Sequence, residues 1–174
     1  MAYLVGRARG VDMFQVGTGN PGTANVFRMV GRWEGVVVFL GDVGKSAVPV
    51  VAARVTGELS WVAVATGVMA MVGHWYPVFL RFRGGAGLAP AIGVACVMMP
   101  LASVAGAVPG LVVLYYARKA GVAAGVGFIA LLGAALFLER PLLLTLAVAG
   151  LPVLALIREL WLPGPGRRRR RSGL

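Results

Sequence analysis

The sequence predicts an all-α membrane protein, a polytopic transmembrane helical bundle of about six spans. Of its 174 residues, 59% are hydrophobic and only 13% are charged, and the mean hydropathy is +0.83. Soluble domains contain roughly 45–50% apolar and about 25% charged residues. The 26 glycines fit packed transmembrane helices, in which small residues let two backbones approach each other. This composition excludes an ordinary soluble protein.

Apolar segments long enough to cross a bilayer follow one another along the chain. A span needs about 20 predominantly apolar residues. Four segments meet this requirement, at 35–53, 59–80, 120–138 and 141–160. The longer apolar run 88–116 fits either one tilted span or two short helices that turn near Met99-Pro100-Leu101. Residues 3–7 resemble the last turn of a helix, so the pattern is compatible with a seventh, N-terminal span upstream of Met1.

The basic residues decide between one helix and two in the run 88–116. Cytoplasmic loops of membrane proteins carry an excess of Lys and Arg. With two short helices, fourteen of the seventeen basic residues lie on one face of the membrane. A single span would place Arg118, Lys119 and the arginine run 167–171 on the opposite face. We therefore predict short, half-length helices after residue 87, and cytoplasmic N- and C-termini.

The chain is predicted to be one membrane-embedded domain, 1–162, followed by a polybasic cytoplasmic tail, 163–174. Two Pro-Gly pairs end the last helix, and five arginines follow them. Such a run beside a span is typical of an orientation signal that also contacts anionic lipid. The net charge of +11 does not indicate nucleic-acid binding, because no DNA- or RNA-binding fold accompanies the tail.

A polar, glycine-rich segment at 17–28 is the most informative part of this apolar chain. Glycines allow positive φ and let backbone N–H groups turn towards a bound group. The segment's hydroxyl, amide and guanidinium side chains suit a cluster of anionic oxygens. We predict a phosphate-binding loop at the membrane edge. Its candidate residues are Gly17, Thr18, Gly19, Asn20, Gly22, Asn25 and Arg28.

A second glycine-rich segment, at 84–87, opens the following helix. A glycine-rich turn at a helix N-terminus offers unpaired N–H groups and a positive dipole end, which favour an anion. Two arginines beside it favour this interpretation over a flexible basic loop. Two such loops on one membrane face predict convergence on one ligand. The candidate binding residues here are Arg81, Arg83, Gly84, Gly85 and Gly87.

Three ionisable residues lie inside the predicted spans. Asp42 and Lys45 are three residues apart and share a helix face, where they form either an internal ion pair or a wall of the substrate pocket. A polar pathway through a small transporter also fits this pair, although no inverted repeat supports it. His74, near the end of its span, is either a packing residue or a catalytic group. With Cys96 as the one cysteine, an internal disulfide is excluded and no metal site is expected.

Together, these motifs resemble the acyl-phosphate-dependent glycerol-3-phosphate acyltransferases of bacteria. The resemblance runs from about Tyr3 to Val94 and includes the segment 17–28, Asp42-x-x-Lys45, the Gly-His segment 73–80 and the loop 84–87. It implies transfer of an acyl chain from acyl phosphate to the 1-hydroxyl of glycerol 3-phosphate. The product is lysophosphatidate, for phospholipid biosynthesis in the bacterial cell membrane. The resemblance also implies that neither acyl-CoA, a metal nor another cofactor is used.

The resemblance implies roles for individual residues. The serine of the family's first motif falls on Thr18, and Arg28 would hold a substrate phosphate, so that Thr18, Arg28 and His74 are the candidate catalytic residues. The usual lysine of the second loop is Ala86 here. The family's closing His-Arg-x-Asn-x-x-Arg segment is replaced by Leu-Ile-Arg-Glu-Leu-Trp at 156–161. The alternative hypothesis is a non-catalytic membrane protein of the same fold that binds a phosphorylated lipid or metabolite.

Overall fold

The computed structural model describes residues 1–57, 59–117, 120–138 and 141–161, and all regular structure in these ranges is helical. This architecture confirms the predicted fold class. The elements are α1 (Ala2–Ala8), α2 (Thr23–Met29), α3 (Arg32–Val55), α4 (Ser60–Trp75), a 3-10 turn (Val78–Leu80), α5 (Leu88–Met98), α6 (Pro100–Ala117), α7 (Ala120–Phe137) and α8 (Leu142–Trp161).

Several of these helices are built to cross a bilayer. Four segments of the described chain have the length and apolar composition of a span: Arg32–Val55, Ser60–Leu80, Pro100–Ala117 and Leu142–Glu159. Leu88–Met98 and Val122–Phe137 are shorter apolar helices. Large apolar side chains remain exposed on their outer faces, such as Leu101 on α6, Ile129 on α7 and Leu143 on α8. An apolar surface this extensive requires lipid around it. The protein is a multi-pass membrane protein.

The apolar run 88–116 forms two helices, as predicted. α5 ends at Met98 and α6 begins at Pro100. The intervening Met99 has φ −140° and ψ 66°, outside the helical region. A proline disfavours helical geometry in the residue before it and fits the first position of a new helix. With 11 residues, α5 is about 16 Å long, roughly half of the bilayer core.

Small residues set the helix spacing. A Cβ added to Gly93 on α5 would lie 3.1 Å from the carbonyl carbon of Val43 on α3 and still closer to the Ser46 hydroxyl. Ser46 Oγ lies 2.8 Å from the Pro90 carbonyl oxygen, to which it donates a hydrogen bond across the same contact. On α6, a Cβ at Gly106 would lie 2.5 Å from the carbonyl oxygen of Gly127 on α7. Close backbone approach is what glycine permits in membrane helices.

Two buried clusters hold the fold. The larger one joins α4, α5 and α8, where Met71, Val94 and Val148 are completely or almost completely buried. The smaller cluster lies beside the first glycine-rich segment and contains Met13 and Val26, both fully buried. This cluster attaches the segment between α1 and α2 to α3. The first predicted loop is therefore anchored on both sides.

The structure corrects the prediction that residues 17–28 form one loop. Residues from Thr23 onward belong to α2, because Thr-Ala-Asn-Val-Phe-Arg-Met contains neither Gly nor Pro. The irregular part ends at Gly22, whose φ of −124° and ψ of 162° are extended. Arg28 therefore lies on a helix. The predicted tail 163–174, together with Arg118 and Lys119, lies outside the described residues.

Candidate active site

The side chain of Asn25 holds the first glycine-rich loop. Asn25 is only 3% exposed on α2. Its Oδ1 accepts a hydrogen bond from the Thr18 N–H at 3.1 Å, and its Nδ2 donates to the carbonyl oxygens of Val16 at 3.0 Å and Met13 at 3.4 Å. One amide thus satisfies three backbone groups of the turn. Asn25 supports the loop from inside, with its amide directed at the backbone.

Glycine is required at two positions of this loop. Gly17 and Gly19 have φ of +57° and +66°, in the left-handed region. A Cβ at Gly17 would lie 2.9 Å from Cγ of Met29 and even closer to Oδ1 of Asn25. Between the two glycines, the Thr18 Oγ1 accepts a weak hydrogen bond from the Asn20 N–H at 3.4 Å. The turn presents Thr18 at its tip in one conformation.

The second glycine-rich loop folds back onto the end of α4. The Gly84 N–H donates to the carbonyl oxygen of Trp75 at 3.0 Å, and the Trp75 indole Nε1–H donates to the carbonyl oxygen of Ala86 at 2.7 Å. A Cβ at Gly84 would lie 2.5 Å from that Trp75 oxygen. Gly87, with φ +100°, caps the N-terminus of α5. The loop therefore opens the helix, as predicted for an anion site.

The two loops meet beside His74. A Cβ at Gly85 would lie 2.5 Å from Nε2 of His74 and 3.2 Å from the carbonyl oxygen of Pro21 in the first loop. The imidazole is 7% exposed. Segments more than sixty residues apart in sequence thus share one small region. His74 lies at their junction.

Asp42 and Lys45 form an ion pair that also reaches His74. Lys45 Nζ lies 2.7 Å from Asp42 Oδ1, and the carboxylate is only 2% exposed. Lys45 Nζ also contacts Nδ1 of His74. An ammonium group has donors only, so Nδ1 accepts and the ring proton resides on Nε2, the nitrogen beside Gly85. The ion pair predicted from the sequence is present, and through Lys45 it joins α3 to His74 on α4. That the pair forms a wall of the substrate pocket stays a prediction.

The predicted arginines lie on the outside of the loops. Arg28, Arg81 and Arg83 are all exposed. Arg83 lies over the ring of Phe14, 6.0 Å from its centroid, while Arg28 and Arg81 make no hydrogen bond or ion pair with any described residue. Arg81 and Phe82 have positive φ, 51° and 60°, and this reversal returns the chain to α4. In the structure, these three arginines lie outside the junction of the two loops.

Two residues of the last helix contact the loops, although neither was among the candidate site residues predicted from the sequence. Arg158 donates through Nη1 to the carbonyl oxygen of Gly85 at 2.7 Å and through Nη2 to that of Trp75 at 3.2 Å. The next residue, Glu159, accepts a hydrogen bond from Nδ2 of Asn20 at 2.9 Å. The available signal was an adjacent pair of opposite charges at the end of an apolar helix, where ionisable residues are costly.

The comparisons with known proteins agree with this geometry. A family model described as Glycerol-3-phosphate acyltransferase matches residues 1–160. The chain belongs to the glycerol-3-phosphate acyltransferase family. A glycerol-3-phosphate acyltransferase of Rubrobacter xylanophilus is 50% identical over 97 residues, which cover 56% of this chain and 49% of that protein. Glycerol-3-phosphate acyltransferase 4 of Dehalococcoides mccartyi is 34% identical over 169 residues, covering 94% of this chain and 73% of that protein.

A solved member of the family has the same fold. A crystal structure of PlsY (YgiH), an integral membrane glycerol 3-phosphate acyltransferase in its glycerol 3-phosphate form, matches with a TM-score of 0.80 and 28% identity. The match covers 99% of this chain and 84% of that one. The lysophosphatidic acid form of the same protein matches with a TM-score of 0.79. The acyltransferase fold thus extends over the whole described chain, including α8. Against the Rubrobacter relative, the match spans about half of that protein's length.

The candidate site combines backbone donors with a buried histidine. The N–H groups of Thr18, Gly19 and Asn20 in the first loop are already paired within the protein. The second loop leaves N–H groups at the start of α5, and His74 directs its Nε2 at the junction of the two loops. Such preorganised donors stabilise negative charge that develops on a reacting oxygen. The arrangement is suited to holding a phosphate and to transfer between oxygen atoms.

Proposed function

We propose that this chain transfers an acyl group from acyl phosphate to the 1-hydroxyl of glycerol 3-phosphate. The bond between the acyl carbon and the phosphate oxygen breaks, and an ester bond to the glycerol oxygen forms. The hydroxyl proton leaves with the phosphate, and the products are lysophosphatidate and inorganic phosphate. The observation that carries this proposal is the contact of two glycine-rich loops beside His74.

The described residues support distinct roles. Thr18, at the tip of the first loop, would contact the reacting groups, with Gly17, Gly19, Asn20 and Gly22 forming the loop and Asn25 bracing it. Gly84, Gly85 and Gly87 would hold a phosphate at the start of α5. Arg28, Arg81 and Arg83 are exposed cations that would attract the anionic substrates, and no described residue forms a hydrogen bond or ion pair with Arg28 that would compete.

Little further chemistry is needed from the protein. An acyl phosphate is already activated, because phosphate is a good leaving group. Positioning the two substrates and stabilising the developing charge supply most of the acceleration in such reactions. His74 fits this scheme as a neutral Nε2–H donor at the junction. The second loop lacks a lysine, so backbone dipoles and the nearby cations would have to stabilise the charge.

The proposal also includes the location and orientation of the protein in the membrane. We place residues 1–162 in the bacterial plasma membrane as one domain, with the N- and C-termini on the cytoplasmic side. The bias of basic residues supports this orientation. The tail 163–174 would contact anionic lipid through its five arginines. Labelling of single cysteines placed at residue 8, which is exposed at the end of α1, and at residue 172, in a Cys96→Ser background, tests it: both sites should react only from the cytoplasmic side.

Acyl transfer from palmitoyl phosphate to labelled glycerol 3-phosphate, by the purified protein in lipid, tests the activity. Arg28→Ala should reduce turnover at least about tenfold, a loss of roughly 1.4 kcal/mol of transition-state stabilisation. Arg32→Ala, another exposed arginine a few residues along the chain, is the matched control and should retain activity.

The outcomes separate the hypotheses. Turnover that depends on Arg28 supports the assigned site, and turnover unaffected by Arg28→Ala contradicts it. If the folded protein binds glycerol 3-phosphate saturably but shows no turnover, the result would contradict the enzymatic proposal. It would support the alternative hypothesis of a non-catalytic binding protein.

A further inference from the structure

The last helix holds both glycine-rich loops through two consecutive residues. Arg158 hydrogen bonds to the carbonyl oxygen of Gly85 in the second loop at 2.7 Å, and Glu159 accepts a hydrogen bond from Asn20 of the first loop at 2.9 Å. Consecutive residues on an α-helix point about 100° apart, so they can reach two separate segments. The end of α8 is therefore a common support for both halves of the site.

The surroundings of Arg158 indicate a positioning role. Its guanidinium faces two carbonyl oxygens, those of Gly85 and Trp75, and lies 5.7 Å and 5.5 Å from the ring centroids of Trp75 and Tyr76. Its buried Nε has no hydrogen-bond partner in the described part of the chain. A guanidinium fork matches two acceptors at fixed separation and stacks on aromatic faces, which a flexible lysine does less well. This geometry holds the second loop against α4.

Glu159 lies near the C-terminal end of α8, where the helix dipole is unfavourable for a carboxylate. The C-terminal end of a helix carries partial negative charge, which disfavours a carboxylate and favours Arg158 in the same turn. α8 is otherwise an apolar helix with the composition of a membrane span. Among the described residues, the carboxylate contacts Asn20, 139 positions earlier in the chain.

We propose that Arg158 and Glu159 are positioning residues that hold the two glycine-rich loops at one fixed separation across His74. Arg158 holds the loop 84–87, and Glu159 holds the turn that contains Asn20. This clamp acts on the site of the proposed acyl transfer, so its effect on turnover rests on that function. Acyl transfer depends on placing two substrates within reacting distance, and a shift of about 1 Å in one loop relative to the other can reduce the rate by about two orders of magnitude.

Amide hydrogen exchange of the protein in lipid measures each half of the clamp without relying on turnover. Glu159→Ala should speed exchange about tenfold at residues 16–22 and leave residues 84–87 unchanged. Arg158→Ala should give the reverse pattern. Glu159→Gln keeps a side-chain carbonyl acceptor for Asn20 and should behave like the unmodified protein. Leu156→Ala, an exposed position of the same helix, is the control and should change neither loop.

Kinetics provide the second readout. Glu159→Ala and Asn20→Ala should each lower kcat/KM about tenfold, and the loss in the double variant should be smaller than the product of the two separate losses, because the two residues contact each other. Exchange that stays unchanged in both loops, or that rises equally in both for either variant, would overturn the clamp. Loop-specific exchange in a protein without turnover would support the clamp and contradict the proposed acyl transfer.

Discussion

A Cβ atom added to Gly85 would lie 2.5 Å from Nε2 of His74, so the second glycine-rich loop passes directly over the imidazole edge. On the other side, the same atom would lie 3.2 Å from the carbonyl oxygen of Pro21. Lys45 contacts the opposite nitrogen of the ring. His74 is thus held between a charged pair inside the helices and the backbone of the loops.

Gly85→Ala tests whether this close passage matters. The added methyl has no room, because the backbone of Pro21 and the His74 ring bound it on two sides. Forcing extra volume into a packed site typically costs about 1–3 kcal/mol. We expect kcat/KM to fall by about tenfold or more, measured by acyl transfer from palmitoyl phosphate. Gly73→Ala, where no described residue lies within 4 Å of the added atom, is the control, and an equal loss there would contradict the argument.

Asn25 should be essential for the stability of the first loop. Asn25→Ala leaves one backbone N–H and two carbonyl oxygens of a largely buried turn without their partner. Each buried group left unsatisfied costs about 1–3 kcal/mol. We expect a clear drop in melting temperature, followed by thermal unfolding in detergent.

A second variant, Asn25→Asp, tests the contribution of the side-chain donor of Asn25. It keeps an acceptor for the Thr18 N–H but turns the donor that serves Val16 into a second acceptor, facing a carbonyl oxygen. We expect a loss comparable to that of Asn25→Ala. A melting temperature like that of the unmodified protein would show that the Val16 contact contributes nothing.

Lys45→Met should destabilise the protein, because the buried Asp42 carboxylate loses the ammonium group at 2.7 Å and is left with the more distant N-terminal ammonium group, 3.8 Å away. Breaking a fully buried ion pair costs about 3–5 kcal/mol of folding stability. Because the Lys45 side chain is 35% exposed, we expect this variant to lose about 2 kcal/mol. Replacing both partners removes the buried charge, so Asp42→Asn/Lys45→Met should be more stable than Lys45→Met alone. Thermal unfolding of the three proteins checks this order, and a double variant less stable than the single would refute it.

Gly106→Ala should separate stability from function. The added methyl would meet the Gly127 carbonyl oxygen at 2.5 Å and Cβ of Leu131 at 2.8 Å, so α6 and α7 must move apart. We expect about 1–3 kcal/mol of destabilisation in thermal unfolding, with kcat/KM of the remaining folded protein unchanged. Gly133→Ala on α7, with nothing within 4 Å, should be neutral or slightly stabilising. A large loss of kcat/KM in Gly106→Ala would link this interface to the site.

The fold class, three of the spans (α3, α4 and α8) and the break before Pro100 followed from the sequence alone. The apolar pattern predicts a half-length helix after Pro100, where α6 has the length of a span, and a full span at 120–138, where the apolar helix Val122–Phe137 is shorter. Apolar length and the proline rule are local properties, so 88–116 could be divided correctly without knowledge of its neighbours. Gly17 and Gly19 have the positive φ that glycine permits, whereas Gly22, of which the same was expected, is extended. The extent of α2 was missed because a polar helix of one or two turns carries a weak periodic signal.

Only the tertiary structure decided which polar residues share the site. Asn25 supports the loop as its internal brace, and Arg28 lies on an exposed helix face, although both belong to the same motif. Arg158 and Glu159 reach loops more than seventy residues away in sequence. No local pattern encodes such contacts, because they depend on how α8 packs against α4 and α5. The composition of the chain determined that this is a membrane protein. The packing of its helices determined where the two glycine-rich loops meet.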